Sequence, residues 1–198
     1  MNDLAPLHPR PTTRAAEGLE RWRWTLEDIE RLVAAGVFRD SDRVELIGGE
    51  LVPMSPKGHH HEHLRTQITK RLTFMVPRDL TVVSEPQLNL ASDEYRQPDI
   101  LVFAEPTRVY DVRGETALLV IEIADTSLAH DTGSKAATYA RYGVREYWVI
   151  DALSRATIVF RDPDPATGTY RSRGMVPSSQ PLKALLVSQI AIALDEID

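Results

Sequence analysis

Three residues of this chain combine charge, spacing and an apolar setting in a way that invites chemistry. Asp99 follows Gln97-Pro98 and opens the run Ile100-Leu101-Val102. Pro98 has no N–H for a β-ladder and belongs at the start of a strand, so Asp99 stands at the mouth of an apolar element, as a turn cap or a ligand. Glu122 is the single charge within Leu118-Leu119-Val120-Ile121-Glu122-Ile123-Ala124. Burying an unpaired carboxylate is costly, so Glu122 requires a cation, a proton or hydrogen-bond donors. A buried salt bridge would satisfy it; so would a divalent metal shared with Asp99. Hard oxygen ligands suit Mg²⁺ or Mn²⁺, which take one or two carboxylates and complete their shells with water and phosphate oxygens. Such a site activates water and stabilises charge on a phosphoryl group in transfer. Lys135, four residues after Asp131, is the third. A helix docked beside the sheet could bring its ammonium to the carboxylate pair, to orient water or neutralise a developing charge. Undocked, it is a solvated surface lysine. Tyr139 shares the Lys135 helix face at i, i+4 and could bind substrate phosphate or merely pack.

These residues need elements to hold them. Thr25-Leu-Glu-Asp28 opens an amphipathic helix with apolar Leu26, Ile29, Leu32 and Val33, stopped by Gly36. Two alternating runs around Gly48-Gly49 predict a β-hairpin, since that dipeptide accepts the positive φ of a tight turn. A long helix follows, with His61, Leu64, Ile68, Leu72 and Met75 on one stripe, ending before Pro77. Arg65, Lys70 and Arg71 are expected on its exposed side, a local basic excess. Short Val/Ile/Leu-rich runs at LTVVSEP, QLNLAS, DILVFAEP and TALLVIEIAD read as strands. DTGSKAATYARYG reads as a third helix leading into the strand REYWVID, with an edge hairpin from ATIVFRDP to the segment around Tyr170. ALLVSQIAIALDEID is ambiguous between strand and helix. The order predicts an α/β fold, a mixed sheet flanked by helices.

The chain has 198 residues, no cysteine and a formal charge of −6. Its length and average apolar content fit one domain over 21–198, preceded by a loose, Pro-containing arm over 1–20. Without cysteine there is no disulfide framework, no thiolate metal site and no thiol nucleophile, which leaves carboxylates, His, Lys and hydroxyls. No apolar run approaches a membrane span and the N-terminus lacks the apolar core of a signal peptide, so a cytoplasmic protein is expected.

As an ordered set these segments resemble the Uma-two family of restriction endonucleases, in the PD-(D/E)XK nuclease superfamily. The resemblance runs from about Arg43 to Asp151: VELIGGELVPMSPKG as an opening hairpin and turn, His61 on the next helix, PDILVF, VIEIADTS, then Asp131, Lys135 and Tyr139 on a helix before YGVREYWVID. It implies a restriction-endonuclease-like sheet, DNA as substrate, and an Mg²⁺ or Mn²⁺ site from Asp99 and Glu122, completed by Glu50 on the hairpin or by His61. Glu45 competes with Glu50 for that role. The superfamily's usual E-x-K is broken here. Residues two apart on a strand share a face, and Ala124 stands where a Lys would point at the metal. The family's answer, a Lys relocated to the following helix, fits Lys135.

Rival readings follow from the same residues. Ala124 and the acidic balance suit a catalytically silent nucleic-acid-binding or assembly module; a hydrolase of another phosphate ester is a third reading. His59 and His63 are i, i+4, but the order lacks the H-E-x-x-H of zinc proteases, and an exposed or DNA-facing histidine cluster fits better. A homodimer is compatible with cutting both strands, which needs two sites. The negative charge lowers expected non-specific affinity without excluding DNA.

Overall fold

The computed structural model describes residues 21–39 and 42–197, so the arm expected over 1–20 lies outside the described residues. Two compact units emerge: residues up to 55 together with 91–96, and residues 56–90 with 97–198.

In the first unit, α1 (Leu26–Ala34) begins at a reciprocal cap: the Thr25 side chain accepts from the Asp28 N–H, and the Asp28 carboxylate accepts from Thr25. Ile29 buries against Leu46 and Tyr95. β1 (Val44–Ile47) and β2 (Glu50–Pro53) form the expected hairpin, with Gly48 and Gly49 at φ 56° and 82°, conformations other residues adopt at a cost. The sequence pattern gave no sign of a short strand, Glu94–Arg96, that pairs with β1. Its Arg96 is buried between Glu94 and Glu45, at 2.8 and 3.2 Å.

The second unit begins with α2 (His59–Met75), β3 (Leu80–Ser84) and β4 (Leu88–Ala91); the Glu94–Arg96 strand counts as β5, and β6 (Ile100–Ala104) and β7 (Leu119–Ala124) follow. After β7 come α3 (Leu128–His130), a π turn over Asp131–Lys135 and α4 (Ala136–Arg141). β8 (Glu146–Asp151) and the long hairpin β9 (Thr157–Asp164) and β10 (Thr169–Val176) complete a sheet ordered β10-β9-β8-β7-β6-β3. Only β7 and β8 are parallel among its paired neighbours, and the α3–α4 segment makes the crossover that parallel pairing requires.

Alternation along the strands sorts their side chains into two layers. Ile100, Val102, Leu119, Ile121, Ile123, Trp148 and Ile150 meet Leu64, Ile68 and Leu72 of α2. On the opposite face Leu101, Val120, Ala124, Tyr147 and Val149 meet Ala136 and Tyr139. With both faces covered, β7 is buried at every position, which is why its sequence reads as a continuous apolar run. The ambiguous C-terminal stretch is neither a long helix nor a long strand. Within it only β12 (Ala191–Ile192) is extended, paired with β11 (Leu182–Lys183) just before the stretch, and a closing turn follows; its Ile190, Ile192, Leu194 and Ile197 join the α2-side core.

One expectation for α2 is corrected. Arg65 is not a free surface cation: it is bound to Glu62, the Ser84 hydroxyl and Glu85. Arg71 donates to the Glu196 carbonyl, and Lys70 is exposed. No helix among the described residues is long and apolar enough to cross a membrane. Because Ile68 is 1% exposed at the centre of the α2 interface, Ile68→Ala should lower stability by about 2–5 kcal/mol in chemical denaturation. A loss below about 1 kcal/mol would mean that this face is not packed as described.

Candidate active site

Asp99 precedes β6, and the β6–β7 register sets Ile100 across from Ile121, so one further step places Asp99 opposite Glu122. By alternation that position faces the α4 layer, where Leu101 and Val120 also point. Asp99 is 2% exposed. Its Oδ2 accepts from the Ile123 N–H at 2.7 Å and lies 3.0 Å from His61 Nε2, while Oδ1 is bound by the Lys57 ammonium. An ionised carboxylate only accepts, so His61 donates through Nε2. His61 thus lies on the buried stripe of α2 with a specific partner, whereas His59, His60 and His63 are exposed.

Glu122 sits on the same side of β7 and is 4% exposed. Its Oε1 is 2.9 Å from Lys135 Nζ and accepts from the Tyr139 hydroxyl at 2.9 Å. The α3–α4 crossover thus delivers both residues to one carboxylate oxygen. Lys135 closes the π turn, a distortion that recurs at functional sites, and lies 3.9 Å from Asp131, itself buried and bound by the Ser127 hydroxyl. The Tyr147 hydroxyl donates to the Asp131 carbonyl at 3.0 Å and anchors the turn to β8. The expected docking of the third helix is what the structure has, with the helix starting three residues earlier than its pattern suggested.

Two further participants were missed by the sequence pattern, and a third was noted without a role. Lys57 belongs to the Pro56-Lys57-Gly58 turn and touches both Asp99 and Glu85, the latter at 2.8 Å. Glu85 was hidden in a Ser-Glu-Pro strand end. Its φ of 55° is unusual for a residue with a Cβ; its N–H bonds the Asp99 carbonyl at 3.0 Å and its own carbonyl accepts from Gln97. Asp131 was noted for spacing only.

Glu50 lies in the other unit, half exposed, with Arg21 at 2.9 Å from its carboxylate. Glu45 is buried against Arg96.

Burial pushes the Asp99 carboxyl up, but the His61 hydrogen bond and the Lys57 charge outweigh it and hold the group at about 2, against an ordinary 3.8. Asp131 goes the other way: burial raises it despite Lys135 and Ser127, and the Asp99 charge adds to the rise. Tyr147 is raised well above its ordinary value, by burial first and then by the charges of Glu122 and Asp131.

Among the described residues no group of three or more His, Asp or Glu side chains is arranged to hold a metal alone. Asp99 and Glu122 nevertheless fit a hard divalent ion in ligand type and number, because Mg²⁺ commonly takes two carboxylates and leaves its other positions to water and phosphate.

The second unit thus has a mixed six-stranded sheet with one parallel crossover, with buried Asp99 and Glu122 at neighbouring positions and Lys135 of the crossover against Glu122. The chain belongs to the Uma2 family, described as "Putative restriction endonuclease", whose profile matches residues 26–195. It is similar in structure to an Anabaena variabilis protein described as "a putative nuclease belonging to DUF820", with a TM-score of 0.69 and 16% identity over 87% of this chain and 96% of that one. That likeness establishes the fold. Comparison with curated proteins yields no match.

The Asp99 shift has a consequence for stability. Its folded value lies below its unfolded value, so the ionised group's contribution is fully present above about pH 4 and is lost as pH falls through about 2. Asp131, with a raised value, contributes with the opposite sign. In metal-free protein, Asp99→Asn should flatten the fall in stability between about pH 4 and 2, followed by denaturant melts across that range. Identical slopes in variant and wild type would contradict the assignment.

Proposed function

We propose that the chain is a metal-dependent endonuclease that hydrolyses phosphodiester bonds of DNA, and that residues 21–198 act as one restriction-endonuclease-like domain. The observation that carries the reading is the Lys135 ammonium 2.9 Å from buried Glu122, on the strand beside Asp99. That contact supplies from a helix the cation that Ala124 cannot supply from the strand. Family membership supports nuclease chemistry in general; the metal and the DNA substrate are our reading.

Asp99 and Glu122 would hold Mg²⁺ or Mn²⁺, which when bound supplies Lewis-acid stabilisation of the phosphate and a more acidic water. The chain's own residues do the rest. His61 and the Ile123 N–H fix the Asp99 carboxylate through Oδ2. Tyr139 fixes Glu122 at 2.9 Å, and the Lys135 ammonium beside that carboxylate would stabilise charge on a scissile phosphate or orient the attacking water. Glu50 enters only through the family resemblance, with Arg21 its observed partner.

A second reading, a silent nucleic-acid-binding module, draws support from the internal neutralisation of both carboxylates by Lys57 and Lys135. Calorimetric titration separates the two, since a silent module has no need of Asp99-dependent Mg²⁺ binding.

With Mg²⁺ or Mn²⁺ the purified protein should nick or cut plasmid or single-stranded DNA. Asp99→Ala and Lys135→Ala should each lower the rate by about 10²-fold or more. Intact DNA beside an active control nuclease, or cutting that survives both substitutions, would sink the proposal.

A further inference from the structure

Resting on the reading of Asp99 as a metal ligand, we infer that Lys57 is a built-in competitor for the divalent cation: it occupies Asp99 Oδ1 in the metal-free protein and withdraws to Glu85 when the ion binds.

Lone-pair use on Asp99 makes the argument. Oδ2 already accepts two donors, the Ile123 N–H at 2.7 Å and His61 Nε2 at 3.0 Å. Both come from buried parts of the sheet and α2. An ion approaching Asp99 must therefore use Oδ1, where the Lys57 ammonium sits. An ammonium and a divalent ion on one oxygen repel strongly in a site this buried. Lys57 has a retreat. Its Nζ is 2.8 Å from Glu85 Oε1, and it keeps that partner when it leaves Asp99. Arg65 holds the other Glu85 oxygen at 3.3 Å and the Ser84 hydroxyl, so the receiving carboxylate is fixed in advance.

The residue type suits the task. The chain has four lysines, at 57, 70, 135 and 183, against 19 arginines. Two of the four lie in this cluster, with side chains 12% and 8% exposed. An ammonium is a compact point charge on a flexible stem, able to swing between two carboxylates where a planar guanidinium would be held in one geometry. Lys57 thus holds Asp99 Oδ1 in place before the ion arrives, and sets how much ion is needed.

Mn²⁺ alone, titrated without DNA, tests this by calorimetry. Lys57→Gln should bind Mn²⁺ on the order of tenfold tighter than wild type, while Asp99→Asn and the double variant should not bind at this site. A purely structural role for Lys57 would weaken binding instead. In wild-type protein, acylation of Lys57 by an amine-reactive reagent, read by mass spectrometry, should rise several-fold as Mn²⁺ saturates, with Lys183 as internal reference. Equal or weaker Mn²⁺ affinity in Lys57→Gln, at a site that Asp99→Asn abolishes, overturns the inference and leaves the metal reading intact. If Lys57→Gln does not fold, Lys57 acylation that stays constant through saturation overturns it in the same way. Mn²⁺ binding that Asp99→Asn leaves unchanged overturns the metal reading of Asp99 and this inference with it.

Discussion

The second unit is organised by the cost of burying carboxylates. Asp99 and Glu122 are taken almost wholly out of water at the same end of two neighbouring strands, where an uncompensated charge would cost more than any one apolar contact could return. Each therefore draws a lysine and a second donor from a helical layer: Lys57 and His61 for Asp99, Lys135 and Tyr139 for Glu122. The two pairs approach from opposite sides. α2 packs on the Ile121 face of the sheet, and the α3–α4 segment packs on the Val120 face. Asp99 lies at the strand mouth, where a side chain can be met from both.

Compensation of this kind limits what the apolar core may do. α2 must dock in a register that brings His61 to Asp99, so Leu64, Ile68 and Leu72 hold the helix at a fixed rotation as well as burying area. The crossover has the same double duty. An uninterrupted α-helix from Leu128 to Arg141 would keep its inward residues on a stripe dictated by 3.6 residues per turn. The π turn alters that phase within the Asp131–Lys135 segment, and Tyr147 fastens its carbonyl. Irregular backbone is thus spent where the charged side chains enter.

Much of this was legible in the residues, and the limits of legibility have physical causes. The capped helix at Thr25, the Gly48-Gly49 hairpin, the α2 stripe and the buried strands each have a periodicity or turn chemistry of their own, and they appear where that chemistry put them. Glu122 was visible because a charge in an apolar run is a local anomaly; Lys135, ordinary by itself, stood out through the spacing Asp131-x-x-x-Lys135-x-x-x-Tyr139 and the family resemblance. Lys57 and Glu85 were not visible. Each sits in a Pro-flanked turn where a charged residue is ordinary, and its partners come from segments distant in sequence: Glu85 and Asp99 for Lys57, Lys57 and Arg65 for Glu85. Arg65 was read as a solvated cation for a related reason: a helix pattern shows that it is off the apolar stripe but not that Ser84 and Glu85 close over it. The C-terminal stretch failed as a pattern because its apolar residues serve a layer already built by others, and short irregular pieces suffice to cover it.

Ala124 stands where the sequence resemblance leads one to expect a lysine, and the alanine has a packing rationale. A lysine at 124 would share the Glu122 face and fill the space over the end of β7. Alanine leaves that space to the crossover: Ala124 and Ala136 belong to one apolar cluster, with Tyr139 and Tyr147 stacked edge to face beside it at 4.8 Å between ring centroids. Small side chains on strand and helix permit the close approach that lets a lysine on the π turn span to Glu122 at 2.9 Å. Restoring a strand lysine would therefore not simply add a second cation. It would press against the helix that carries the first, so the cation comes from the strand or from the crossover, and the alanine at 124 records which.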